Sequence, residues 1–178
     1  MKKSILICAQ IVLALIVVAQ NASSINSKGF RQAKKGNYAR AIELFTKAVE
    51  IDHQFTDAWY NRALAWSRLQ DYSKAIGDYT MAINLRPHFK MAYNNRGADR
   101  NELKDYVGAI EDYTKAIELD SGYARAWYNR GIVYMNLQQY EKAISDFMKA
   151  IELEPNYKEA YLNREIAERK RMKNIEGL

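Results

Sequence analysis

The sequence predicts an all-α protein, a solenoid of antiparallel helix pairs in which each pair stacks on the next. Three observations predict it. The first is a fixed period: Ala41, Ala75, Ala109 and Ala143 stand 34 residues apart. Around each lies a tyrosine three places before (Tyr38, Tyr72, Tyr106, Tyr140) and an aromatic four places after (Phe45, Tyr79, Tyr113, Phe147). A second alanine follows seven places after (Ala48, Ala82, Ala116, Ala150). The second observation is helical spacing within the unit. In the copy from Ala124 to Tyr157, one block holds Trp127, Gly131 and Tyr134, and another holds Tyr140, Ala143, Phe147, Ala150 and Ile151. The polar stretch Asn136 to Gln139 separates the blocks and Glu154-Pro155-Asn156 ends the second, so the unit reads as two short amphipathic helices joined by a turn. The third is composition: two prolines and eight glycines in 178 residues leave few helix breakers, and the length allows one repeat domain and no second one.

Taken in order, residues 1–19 differ in kind from the rest. Lys2 and Lys3 precede an apolar run from Ile5 to Ala19 broken only by Gln10, and Val17-Val18-Ala19 offers small residues at a cleavage site. The run has 15 residues, short of a spanning helix, so it is expected to be a secretory signal peptide. An uncleaved N-terminal anchor is the alternative. Cys8 is the sole cysteine and lies inside this run, so the exported protein would carry no thiol chemistry. Residues 20–178 form the repeat domain, with repeats at 22–55, 56–89, 90–123 and 124–157 and a capping helix at 158–178. The first helix, expected over 22–36, is the poorest copy: Ile25 takes the tryptophan place and Gln32 replaces a large aromatic. Asn37, Asp71 and Asp105 stand where second helices need N-caps. Phe55, Phe89, Tyr123 and Tyr157 close the repeats and are expected to pack back on the layer they leave. Residues 158–178 begin another first helix with no second helix after it.

These residues carry a family resemblance. The Ala124 copy carries Trp127, Gly131, Tyr134, Ala143, Phe147 and Pro155 of the signature W-x2-L-G-x2-Y, A-x3-F, P, with Arg130 in place of the leucine. The chain thus resembles the tetratricopeptide repeat (TPR) family over nearly all of its length after residue 19. The resemblance implies a right-handed superhelical solenoid and a protein-binding scaffold, and it implies a partner no more closely than that.

In TPR proteins the first helices line a concave groove. The resemblance places there Asn61, Asn95, Asn129 and Asn163, which recur at 34-residue steps in Asn-Arg pairs. A column of amides can donate to and accept from an extended peptide backbone, giving affinity with little sequence specificity, unless the amides serve internal bonds instead. Tyr60, Asn94 and Tyr128, one place before the asparagines, and Arg125 complete the candidate groove. TPR modules that clamp an acidic chaperone C-terminus use lysines and an arginine in the groove. Tyrosine and asparagine hold most of those places here. The arginines of the same pairs, Arg62, Arg96 and Arg130, fall one helical step away, and Asp78, Asp112 and Asp146 repeat on the second helices at the same period. Arg–Asp pairs between the two helices would neutralise both charges.

Other chemistry finds little support. His53 and His88 fall in inter-repeat turns 35 residues apart with no cysteine or acidic cluster at ligand spacing, and no phosphate loop, nucleophile elbow or zinc motif occurs. The net charge of +6 falls to +4 without Lys2 and Lys3, 25 basic against 21 acidic residues, mild and interspersed. No cofactor, nucleic acid or small-molecule substrate is expected. Arg169-Lys170-Arg171-Met172-Lys173 is read as a solvated end face. The expectation is therefore an exported, non-catalytic scaffold (periplasmic, secreted or in a secretory-pathway lumen) that binds an extended peptide or partner helix. Membrane contact requires that residues 1–19 stay uncleaved. The alternative is an assembly subunit that self-associates through its convex face or solenoid ends.

Overall fold

The computed structural model describes residues 2–176 of the chain, with side-chain surroundings from 17 to 174. These residues form nine α-helices and no strand. The chain divides into two compact units, Met1–Pro87 and His88–Leu178. The first contains α1 (Lys2–Lys34), α2 (Tyr38–Ile51), α3 (Thr56–Arg68) and α4 (Tyr72–Leu85). The second contains α5 (Lys90–Glu102), α6 (Tyr106–Leu119), α7 (Ala124–Asn136), α8 (Tyr140–Leu153) and α9 (Lys158–Glu176). Within each unit a helix packs on its neighbours in sequence, and alternate first helices also touch: α1 with α3, α5 with α7, and α7 with α9.

Small residues at fixed places make this stacking possible. Ala41, Ala48, Ala75, Ala82, Ala109, Ala116, Ala143 and Ala150 have no solvent exposure at all. Their short side chains let helix axes approach, and the recurring aromatics fill what space is left. A Cβ on Gly29 would come within 2.6 Å of the Phe45 ring, and one on Gly131 within 2.7 Å of Phe147. Glycine therefore makes room where these two first helices cross the phenylalanine of their own second helix, whereas in repeat 56–89 the buried Ala63 holds the same place. Phe45 and Phe147 are wholly buried, each contributing about 2 kcal/mol of apolar burial.

Each turn inside a repeat has the same backbone. Gly36, Gln70, Lys104 and Gln138 hold positive φ of 78°, 62°, 62° and 59°, in the left-handed region that ends a helix. The next residue's N–H then reaches back into the last turn, as in Asp71 to the Trp66 carbonyl at 3.0 Å and Gln139 to that of Tyr134 at 2.9 Å. Asp71 and Asp105 cap the following helices by accepting from the N–H groups of Lys74 and Gly108. Asn37 corrects the expectation: its side chain makes no cap bond and donates instead to Gln32 Oε1 at 3.0 Å.

The N-terminal region differs from the expected helix over 22–36. Helix α1 runs unbroken from Lys2, because no proline or glycine interrupts the sequence before Gly29. Its repeat portion is anchored by buried Ala22 and by Ile25, which packs on Ala48, Val49 and Ala58. Of the signal-peptide expectation at 1–19, residue 1 and the side chains of 1–16 lie outside the described residues. Among the described residues no helix is long and apolar enough to cross a membrane.

Candidate peptide-binding face

Arg62, Arg96 and Arg130 point into the layers. Arg62 donates from Nε and Nη2 to both carboxylate oxygens of Asp78 at 2.7 and 2.8 Å. Arg96 grips Asp112 at 2.9 and 2.6 Å, and Arg130 grips Asp146 at 2.8 and 2.9 Å. The expected ladder of pairs is present, each bond bidentate and each aspartate buried. Arg62 and Arg130 extend a third donor, Nη1, to Thr46 and Thr114 on the second helix of the preceding repeat. One guanidinium thus ties three helices. Its outer face lies over the aromatic three places before it, Trp59 at 4.7 Å and Trp127 at 4.9 Å. Burial lifts the Asp146 carboxyl above the ordinary carboxylate range, against the downward pull of Arg130. Arg100 joins this network, donating to the Gly108 carbonyl and meeting Asp112 at 3.0 Å. Sequence reasoning missed it, although Arg100 stands in a column that holds Trp66 and Tyr134 in the repeats on either side.

The asparagines form a second ladder, between successive first helices. Asn61 Nδ2 donates to Asn26 Oδ1 at 3.1 Å in the first unit. In the second, Asn129 Nδ2 donates to Asn94 Oδ1 at 3.0 Å and Asn163 Nδ2 to the Tyr128 hydroxyl at 2.8 Å. Each bond joins residues 35 apart, as does Asn136 to Asn101 at 3.2 Å along the same face. Asn94 is only 2% exposed and also donates to Asn95 Oδ1, so it is a post inside the ladder and not a free groove donor. Asn61, Asn129 and Asn163 each spend one amide N–H on these internal bonds. Tyr60 packs on Tyr79 at 5.8 Å between ring centres.

Two of the sequence-predicted residues face open space together. Arg125 is exposed and Tyr128 half-buried, and both line a cavity of about 770 Å³ beside the ladder. Tyr123, Tyr157, Glu154 and Glu159 complete its wall. Tyr128 stacks on Tyr157 at 4.8 Å with a 33° tilt, a ring surface at the junction of α7, α8 and α9. Burial raises the Tyr157 phenol to about 12, with Tyr128 beside it adding to the effect, and burial raises Tyr123 and Tyr128 as well. In the first unit, Asn61 borders a separate cavity of about 210 Å³ with Phe30, Tyr38, Leu64 and Arg68. The repeat-closing aromatics divide accordingly. Phe55 and Tyr123 pack on core alanines, and Tyr123 and Tyr157 also face the large cavity. Among the described residues no cluster of His, Cys, Asp and Glu could hold a metal.

Comparison with known proteins adds the family. A tetratricopeptide repeat family model matches residues 56–89 and 124–157. A TPR repeat model matches 100–138 and a further tetratricopeptide repeat model matches 23–55. The chain is 45% identical over 38 residues to an uncharacterized protein of Methanocaldococcus jannaschii, a match spanning 21% of this chain and 44% of that protein. In fold it is similar to the crystal structure of MamA protein, with a TM-score of 0.80 and 23% identity over 89% of this chain and 85% of that one. It is similar to YrrB, described as a TPR protein with an unusual peptide-binding site, at TM-score 0.75, 24% identity, and 81% and 74% coverage. The first TPR of Spaghetti (RPAP3), bound to the HSP90 peptide SRMEEVD, matches at TM-score 0.66 and 30% identity, over 67% of this chain and 94% of that one. The period, the helix pairs and these matches agree: the chain belongs to the tetratricopeptide repeat family.

Proposed function

We propose that this protein is a non-catalytic scaffold that binds an extended peptide along the face formed by the first helices of its second unit, with the stretch beside α7 and α9 as the principal contact. The observation that carries this reading is the cavity of about 770 Å³ that opens on Arg125 and Tyr128 next to the amide ladder. The ladder keeps neighbouring first helices in register and leaves contact to the side chains around it. The related RPAP3 repeat domain, solved with a peptide bound, supports the same use of the fold. Export is part of the proposal and rests on Lys2, Lys3 and the apolar run from Ile5 to Ala19. The intact mass of the purified full-length gene product checks that part, since cleavage after Ala19 removes the run and an anchor retains it.

Site-specific photo-crosslinking tests the binding face. A photoreactive residue is placed at Arg125 and, in parallel, at Met148, an exposed apolar residue of α8. Adducts to a partner peptide from position 125 and none from 148 are expected. Adducts of the chain with a second copy of itself through 148, with none at 125, would replace this reading by self-assembly through the second helices.

A further inference from the structure

At the cavity beside Arg125, an ion pair that closes the two preceding repeats is not made. In repeat 56–89, Asp57 near the start of the first helix and Arg86 after the second meet at 2.9 Å. In repeat 90–123, Lys90 and Asp120 close the corresponding joint with an ion pair. Two repeats on from Asp57 and Arg86 stand Arg125 and Glu154, the same places with the signs exchanged. Among the described residues these two form no ion pair, and both line the cavity instead.

The charges around the opening are unequal. Glu159 at the start of α9 brings a second carboxylate against one guanidinium. Burial raises the Tyr123, Tyr128 and Tyr157 phenols; Arg125 opposes it at Tyr123 and Tyr157, whereas Glu154 and Glu159 add to it at Tyr157 and Glu159 at Tyr128. Both carboxylates line the same cavity as Tyr128 and Tyr157, whose rings stack at 4.8 Å between centres, and aromatic faces carry negative potential. A cation held there meets two carboxylates and aromatic faces at once. An anion meets one guanidinium and two like charges. The Arg125 guanidinium remains suited to a backbone carbonyl of the same ligand.

We propose that this cavity receives a lysine or arginine side chain of the bound peptide, held between Glu154 and Glu159 over Tyr128 and Tyr157. The inference rests on the peptide-binding reading above and specifies the chemistry of the partner: a segment with a basic residue, the opposite of the acidic tail held by a carboxylate clamp.

The full chain is probed on an array of random peptides, and the best binders are then titrated by fluorescence anisotropy against the parent, E154Q/E159Q and R125Q. Bound peptides are expected to share lysine or arginine at one position. E154Q/E159Q should lower the affinity of such a peptide about tenfold and erase the preference, whereas R125Q retains it. Both sets of side chains lie at the exposed cavity rim, and circular dichroism of each variant checks that the fold is kept. A shared acidic residue whose selection disappears in R125Q would overturn the proposal. So would a basic preference undiminished in E154Q/E159Q, or peptides bound with no basic preference. Those three outcomes leave peptide binding itself standing, whereas an array that captures no peptide removes both readings together.

Discussion

Arg130 occupies a place where the family signature has leucine, and its surroundings explain how a charge is tolerated there. Both partners are buried, with side-chain exposures of 14% for Arg130 and 5% for Asp146, and two bonds satisfy the fork of the guanidinium. A pair of this kind stabilises little relative to apolar packing, yet breaking it strands a charge. Asp146→Ala should therefore cost about 3 kcal/mol, while the double change R130L/D146L should return close to the parent. Urea denaturation of the parent, D146A and R130L/D146L checks this. Equal losses in the D146A and double variants would mean that Asp146 acts through packing alone. The same reasoning applies to Arg62 and Arg96, whose aspartates are equally buried.

At the scale of helices and turns, the recurring left-handed residue carries a removable cost. Gly36 takes positive φ freely, whereas Gln70, Lys104 and Gln138 hold it with a Cβ present. The C-terminal bonds of the first helices compensate, because each left-handed residue brings the following N–H onto a carbonyl of the last turn. Gln138→Gly is expected to stabilise the 124–157 repeat by roughly 0.5–1 kcal/mol, the relief of left-handed strain less the added freedom of glycine in the unfolded chain. Thermal unfolding followed by circular dichroism reads this as a higher Tm. A lower Tm would show that the Gln138 side chain contributes more than its backbone strain costs. The asparagine ladder belongs to this scale too, since its bonds join first helices that are remote in sequence and adjacent in the stack.

For the molecule as a whole, stability is built from neighbour contacts, and the terminal helix covers the last layer. Ala167 of α9 packs with Ala143, Ile144 and Phe147, the core of the final repeat. Removing residues 158–178 would expose that face and take one wall from the large cavity. Amide hydrogens of α7 and α8 should then exchange at least ~10-fold faster, with α1 to α4 unchanged. Hydrogen-exchange mass spectrometry of the truncated and full chains measures the difference. Acceleration spread evenly over every helix would contradict stability built layer by layer.

The period, the helix pairs, the Asp71 and Asp105 caps and the Arg–Asp pairs were legible in the sequence. Each follows from covalent spacing: residues 16 apart, such as Arg130 and Asp146, face each other whenever two antiparallel helices share a short turn. The asparagines were legible as a column, but their use was not. Whether an amide reaches a ligand or the residue 35 places back depends on how closely one first helix lies against the next, which sequence period does not state. The same holds for Arg125 and Glu154. Asp57 and Arg86 occupy equivalent places and pair, whereas Arg125 and Glu154 stand open on three tyrosines. The sequence by itself determined the family, the layers and the charges at each place. Tertiary structure alone decided which of those groups are consumed in holding layers together and which are left facing a partner, because that division turns on distances between repeats.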